Sequence, residues 1–508
     1  MILENGVVRT MDPSLPTARA LAIAGSRVAG GVGTHETALP SPDVIDLGGR
    51  CVLPGFTDAH VHFPTWSLGR REVRLEGVGG LEEALERVRS HPRHGSWIRG
   101  YGWRSAEWSA QPTAAALDTV TGDTPALLFS KDYHSAWLNS AALARANGDL
   151  EVPGGVVERD ERGQPTGVLR EESAWQFRAR VAMPSEDEFV DATREGLRVA
   201  ASRGVVAVHD KDGWLGAPGI FQRVAERNGP TLRVWQSVPY ERLPELEALG
   251  IHSGIGDEFL RIGYLKAFMD GTLGSQTARM LDGSGVTITS GEELAEIIRE
   301  GARLGWPVGV HAIGDLANRE ALDAFESTRD AWAPLGLRHR VEHAQCLAPE
   351  DVGRFAGLGV ACSVQFSHAP SDRDLAERFW PDRVDGAYAF RSLWESGALV
   401  ANGSDAPVEE LDPLAGIRAG VLRTIDERPA WHPEQCLTVE QVLIATTVNP
   451  ARLSGDERRR GKLLPGFLAD LVVLSRDPLD CPPDELESVE VVATMVGGRW
   501  AHNAPPWD

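Results

Sequence analysis

His60 and His62 stand two residues apart in Asp58-Ala59-His60-Val61-His62, just after the apolar run Val52-Leu53-Pro54-Gly55-Phe56. On an extended segment, residues i and i+2 share a face. Both imidazoles therefore reach one side, where a single metal ion could take both. Alone, a His-x-His pair is a weak signal, because most such pairs are ordinary polar strand positions. Here further ligand-type residues recur at the ends of later apolar runs. Lys266 lies in Tyr264-Leu265-Lys266-Ala267-Phe268, His311 ends Val308-Gly309-Val310-His311, His343 ends Arg340-Val341-Glu342-His343, and Asp405 ends Ala401-Asn402-Gly403-Ser404-Asp405.

Neutral imidazoles with a carboxylate suit zinc and similar first-row ions. Such an ion polarises a carbonyl oxygen and lowers the pKa of water. Asp405 would serve as ligand, general base or both, passing a proton on to a leaving nitrogen; the alternative is a turn or cap residue in Asp405-Ala406-Pro407. Lys266 is a poor ligand as an ammonium. Reaction with carbon dioxide would make it an anionic carbamate able to bridge two ions. The alternative is a buried lysine paired with Asp270 or Asp405. His134 and His368 are candidate substrate contacts, and His209 a candidate support for the ligands. Metal-bound histidines usually donate their second ring nitrogen to an oxygen. Glu342, Asp58 and Asp315 lie close enough in sequence to be considered for this, although opposite strand parity counts against Glu342 and Asp58.

These residues need a scaffold that gathers strand ends. From 55 to 454, strand-like apolar runs alternate with helix-period stretches, the rhythm of a parallel β/α fold. After the His60/His62 strand, runs at 205–209, 232–237, 262–268, 308–311, 339–343, 360–365 and 399–404 bring the count to eight, with helices such as 291–304 and 318–327 between them. The expectation is an α/β chain built on a (β/α)8 barrel, with its chemistry at the C-terminal strand ends. The two chain ends, 1–54 and 455–508, read as short strands bounded by Gly and Pro, and are expected to form one small β-sandwich. A span of 64–190 is too long for a strand-to-strand connection. It reads as an inserted lid that holds the extra strand 126–130 and carries Trp66, Trp97, Trp103, Trp108 and Trp137. These tryptophans either pack the insertion's own core or, as with Trp103, line an apolar substrate pocket.

Composition narrows the partners. A formal net charge of −22 argues against nucleic-acid binding. No apolar run is long enough for a membrane span. The start, Met1-Ile2-Leu3-Glu4-Asn5-Gly6, lacks the basic and apolar regions of a signal peptide, so a cytoplasmic chain is expected. Cys51, Cys346, Cys362, Cys436 and Cys481 include no C-x-x-C pair, which argues against a disulfide framework or zinc ribbon.

The motifs together resemble the metal-dependent amidohydrolase superfamily, and most closely its YtcJ-like branch, which includes N-substituted formamide deformylases. The likeness runs along nearly the whole chain: Pro54-Gly55-Phe56-Thr57-Asp58-Ala59-His60-Val61-His62, Asp132-Tyr133-His134-Ser135-Ala136-Trp137-Leu138-Asn139, Lys266-Ala267-Phe268-Met269-Asp270-Gly271, His311-Ala312-Ile313-Gly314-Asp315, Val341-Glu342-His343-Ala344-Gln345 and Gly403-Ser404-Asp405-Ala406-Pro407. The resemblance implies that His60, His62 and Asp405 hold one ion, that His311 and His343 hold a second, and that carboxylated Lys266 bridges them. It implies one or two divalent ions, most suitably zinc. Two departures lie on the expected substrate side. Gln276 follows Gly271-Thr272-Leu273-Gly274-Ser275 where the branch has arginine, and Phe366-Ser367 precede His368 where it tends to have proline.

The expected reaction is hydrolysis of a carbon–nitrogen bond in a small N-acyl or N-formyl amine, with Asp405 as base and then acid. The expected partner is that small-molecule amide, in a monomer or homodimer. Other chemistries on the same centre would be opening of a cyclic imide, lactone or ester, or a non-hydrolytic lyase step. The remaining alternative is a metal- or ligand-binding protein without turnover.

Overall fold

Eight strands carry the expected apolar runs. We label them β1 (Phe56–Val61), β2 (Val205–Asp210), β3 (Arg233–Pro239), β4 (Leu260–Phe268), β5 (Val308–Ala312), β6 (Arg340–His343), β7 (Ala361–Val364) and β8 (Val400–Asn402). All are parallel to their neighbours and follow chain order around the sheet. The computed structural model describes residues 1–29, 33, 41–93, 96–146, 150–229 and 231–507. Of the expected terminal domain, 30–32, 34–40 and 508 lie outside the described residues, as do 94–95 and 147–149 of the expected insertion.

The barrel strands are covered on both faces, which explains their continuous rather than alternating apolar sequence. Leu265, Val308, Val310, Val341, Cys362, Val364 and Val400 are all fully buried. Crossover helices begin where their caps dictate. Gly291–Arg303 opens with Ser290, whose hydroxyl accepts from Glu293 N while the Glu293 carboxylate accepts from Ser290 N. Its buried stripe is Leu294, Ile297, Ile298 and Gly301.

The seam between β8 and β1 matters for the site. Asp405 N donates to His60 O at 2.7 Å. The Asp58 carboxylate accepts from Ser404 N and from His60 N, each at 3.0 Å. Gly403 makes this approach possible, since a Cβ there would sit 2.4 Å from His60 N. The Asp58 side chain thus does at the seam what a backbone ladder does elsewhere. Burial pushes its pKa up to about 6, against the pull of those hydrogen bonds.

The terminal strands interleave. Arg499–His502, Val491–Val496, Leu471–Leu474, Cys51–Pro54, Ile2–Arg9, Thr17–Ala24 and Arg27–Val28 are hydrogen-bonded in that order, and Val44–Asp46 also pairs with Ile2–Arg9. The expected sandwich is therefore one continuous eight-stranded sheet by its hydrogen bonds, with Leu3, Val8, Leu21, Val473 and Met495 in its core. Strand Cys51–Pro54 runs straight into β1 through Gly55.

The inserted segment builds a six-stranded mixed sheet from Val73–Arg74 to Pro165–Glu171, and the extra strand Ala126–Ser130 lies in its middle. Trp103, Trp108 and Trp137 pack together on one face, with ring centroids 6.3–6.4 Å apart. Trp97 packs with Phe177 on the other. Trp66 does not belong to this insertion. It sits in helix Phe63–Gly69 directly after β1, packs 5.3 Å from Phe63 and joins the cluster of the barrel's outer helices.

Candidate functional site

His60 and His62 project from the end of β1 into a cavity of about 710 Å³. His60 Nε2 lies 3.2 Å from Asp405 Oδ1 and His62 Nε2 lies 3.7 Å from the same atom. The other carboxylate oxygen of Asp405 is 3.8 Å from His343 Nδ1 and 4.0 Å from His368 Nε2. Two donor groups result, His60/His62/Asp405 and His343/His368/Asp405, each with ligand atoms within 4.8 Å of one another. His311 packs its ring 4.6 Å from that of His343. Lys266 lines the same cavity, its Nζ donating to Ala267 O at 3.3 Å and lying 3.7 Å over the Phe268 ring. No ion pair from Lys266 to Asp270 or Asp405 is formed. Asp270 instead accepts from the backbone N–H groups of Arg279, Ile313 and Gly314.

Four imidazoles each commit one ring nitrogen to an oxygen. His60 Nδ1 donates to Glu342 Oε2 at 2.8 Å, His62 Nδ1 to Asp212 Oδ1 at 2.8 Å, His343 Nδ1 to Gln365 Oε1 at 2.8 Å, and His311 Nε2 to Gly271 O at 3.0 Å. This orients the rings and settles which nitrogen carries the proton, as metal-bound histidines require. The His368 Nε2 atom is buried without a hydrogen-bond partner. Such an orphan beside Asp405 leaves His368 free to take a partner in the cavity.

The electrostatics agree. Burial holds His60, His311 and His343 below the usual imidazole range, hence neutral. Burial also pulls His62 down, but its bond to Asp212 and the charges of Asp212, Asp405 and Asp210 together outweigh this and raise it. Asp405 is driven up by burial, yet the surrounding His60, His343 and His368 hold it well below the carboxylate range.

The backbone pays for this convergence once, through left-handed conformations at His343 (φ 75°), Ala344 (φ 45°) and Asp405 (φ 56°). Non-glycine residues in this region cost roughly 1–3 kcal/mol each and cluster at working sites. Glu342 shares the inward face of β6 with Arg340, and the left-handed turn brings His343 to the cavity as well. Glu342 accepts from His60 on one oxygen and from Lys211 Nζ at 2.7 Å on the other. The alternation expectation for Glu342 is therefore corrected. Asp58 serves the seam, and Asp315 accepts from Leu281 N and pairs with Arg383, so neither supports a histidine ring. His209 lies in the barrel interior, its Nδ1 accepting from Arg340 Nη1 at 2.9 Å.

A profile described as the amidohydrolase family matches residues 43–502. The chain belongs to the amidohydrolase family. Putative amidohydrolase YtcJ of Bacillus subtilis is 31% identical, over 92% of this chain and 93% of its own. N-substituted formamide deformylase of Arthrobacter pascens is 27% identical, over 98% of this chain and 97% of its own. The crystal structure of a metal-dependent hydrolase from Pyrococcus horikoshii superposes with a TM-score of 0.79 at 28% identity, covering 95% of this chain and 99% of that one. Family and neighbours together support a metal-dependent hydrolase.

The insertion completes the amidohydrolase cavity from above. The turn after Ala126–Ser130 carries His134, whose Nδ1 donates to Glu171 Oε2 at 2.6 Å and whose ring lies 5.8 Å from that of His311. Asp132 in the same turn accepts from Thr272 Oγ1 and Ser275 Oγ, fastening the insertion to the loop after β4. Gln276 lines the cavity from that loop in a left-handed turn (φ 57°). Trp103 reaches the cavity wall, but its Nε1 donates to Leu128 O inside the insertion. Lys211, Asp212 and Trp175 were not legible as site residues, and Glu342 was considered but discounted on strand parity. The cluster His209-Asp210-Lys211-Asp212 at the end of β2 was a usable signal, whereas Trp175 on an inserted helix offered none.

Proposed function

We propose that this amidohydrolase hydrolyses the carbon–nitrogen bond of a small N-acyl or N-formyl amine. The observation that carries the reading is the set of four imidazoles gathered in one cavity with Asp405, each with one nitrogen anchored to an oxygen. His60, His62 and Asp405 would hold one zinc-like ion, and His311, His343 and Lys266 as its carbamate would hold a second. Bound there, the metal supplies Lewis-acid polarisation of the carbonyl and a lowered pKa for water. Asp405 takes the proton from the attacking water and returns it to the departing nitrogen. Its depressed pKa keeps it ionised. Glu342 and Asp212 hold His60 and His62 in place. His134, fixed by Glu171 above His311, faces the substrate from the insertion, and His368 and Gln276 face it from the barrel loops. The formamide-cleaving relative supports an N-formyl substituent.

The test is a panel of N-formyl and N-acetyl amines assayed in oxygen-18 water with the zinc-loaded protein. Label is expected in the released acid, with a free amine formed in step. The Asp405→Asn variant should lose about 10²–10⁴-fold in kcat, the usual weight of a general acid–base group. Unlabelled product, or an Asp405→Asn variant as fast as the parent, would sink this mechanism.

A further inference from the structure

The wall leading away from the metal-type residues is aromatic and continuous. Phe268 packs 5.3 Å from His311, and Trp175 packs 5.9 Å from Phe268 and 4.9 Å from His134. One helical turn on from Trp175, and so on the same side of its helix, stands Arg178. It opens a five-residue π-helical turn, Arg178–Ala182, a local irregularity common at binding sites.

Arg178 is unusual among the cations of this cavity. Only 8% of it is exposed, yet among the described residues its guanidinium makes no hydrogen bond and no ion pair. It lies 5.6 Å from the centre of the Phe129 ring and 5.3 Å from that of Trp214. Apart from Lys266, which belongs to the metal-type cluster, the others are engaged. Arg104 pairs with Asp372 at 2.8 Å, Lys131 with Glu409, Lys211 with Glu342 at 2.7 Å and Arg170 with Glu158, while Arg378 is exposed at the rim and donates to Ala106 O. Glu72 feels the charge of Arg178 but is not an ion-pair partner: burial leaves its carboxyl above the usual range, where a paired carboxylate would be lowered. The Arg178 guanidinium thus lines the cavity with no acceptor supplied by the described residues.

We propose that Arg178 is a carboxylate-binding subsite, so that the amide cut at the metal-type centre carries an acid group at its far end. The inference rests on the amide-hydrolase reading of the cavity. A guanidinium fork matches the two oxygens of a carboxylate, and one unpaired cation matches one negative charge. Phe129 and Trp214 flank the fork and cover the carbon skeleton that leads to it. Local recognition is needed because the chain as a whole, at −22, repels anions. The substrate class is an N-acyl or N-formyl amino acid rather than a neutral amide.

The probe pair is 4-phenylbutanoate and 4-phenylbutan-1-ol, bound to the zinc-loaded protein and followed by calorimetry. The parent should bind the acid at least about 10-fold tighter than the alcohol, the weight of one charge-assisted bidentate contact. Arg178→Met should abolish that preference and leave alcohol binding unchanged. Arg178→Gln keeps length and hydrogen bonding without charge, and serves the same purpose if the methionine variant does not fold. A preference that survives both substitutions means the acid binds at the metal alone, and overturns the proposal. Turnover of N-formylphenylalanine against N-formylphenethylamine is measured separately. If neither is cut, the amide reading fails while the Arg178 binding result still decides the subsite.

Discussion

Glu342 accepts from His60 Nδ1 at 2.8 Å across the barrel, although the chain places it beside His343. Its second oxygen holds the buried ammonium of Lys211. One carboxylate therefore orients a metal-type histidine and neutralises a charge inside the barrel. Burial alone would raise its pKa, but Lys211 and His60 hold it well below the usual value.

Replacing Glu342 by glutamine should weaken both roles. Zinc affinity is expected to fall about 10–100-fold, the usual cost of losing an acceptor behind a ligand. Equilibrium dialysis against a chelator measures this. Undiminished zinc retention would show that His60 needs no anchoring.

Lys266 is buried, and burial lowers its pKa to about 7. Near neutral pH about half of it is then the free amine, the form that reacts with carbon dioxide, against roughly four parts in ten thousand for an ordinary lysine. Reconstitution of metal-free protein with zinc and ¹³C-bicarbonate should give a carbamate signal in the carbon spectrum, stronger at pH 8 than at pH 6. Lys266→Met should lack the signal and bind less zinc. A parent protein without the signal at pH 8 would leave a centre without the bridge.

His339 provides a pH dependence away from the site. It accepts from Val308 N at 3.0 Å, packs against Phe325 and Trp332, and is driven by burial down to about 3. The unfolded chain takes up its proton near 6.5, so between there and about 3 the unfolded state binds more protons. Stability from this group is therefore intact above 6.5 and falls with pH by up to about 1.4 kcal/mol per unit below it. His339→Asn keeps an acceptor but does not titrate. Its urea midpoint should drop less steeply than the parent's from pH 6.5 to 4.5, and parallel curves would contradict the assignment.

Two tryptophans separate wall from core. Trp175 faces His134 and Phe268, and Trp175→Ala should raise KM several-fold with a modest change in melting temperature. Trp103 sits among Trp108 and Trp137 at 3% exposure, and Trp103→Ala should cost roughly 3–5 kcal/mol of stability. Thermal melts beside Michaelis–Menten kinetics on one substrate distinguish the two. An unaltered KM in the Trp175 variant would remove it from the substrate path.

Much of the architecture was legible because its signals are local. Val205-Val206-Ala207-Val208 and Val308-Gly309-Val310 read as buried strands from side chains alone, and the ligand-type residues stand at their ends. The insertion was legible as a length anomaly, but its tryptophans were not. Whether an indole faces a pocket or a core depends on the sheet that carries it, and Trp66 belongs to the barrel because its helix follows β1 without a break.

The sequence by itself determined the barrel's rhythm and the residue types offered at its C-terminal mouth, since strand period and apolar runs depend on near neighbours. Tertiary structure alone decided which groups meet. Glu342 reaches His60, and Asp212 reaches His62, across 282 and 150 residues of chain. Those meetings depend on closing the sheet at Gly403 and on left-handed turns at His343 and Asp405. Neither is encoded in a local pattern, because both conformations are stabilised by the contacts they create.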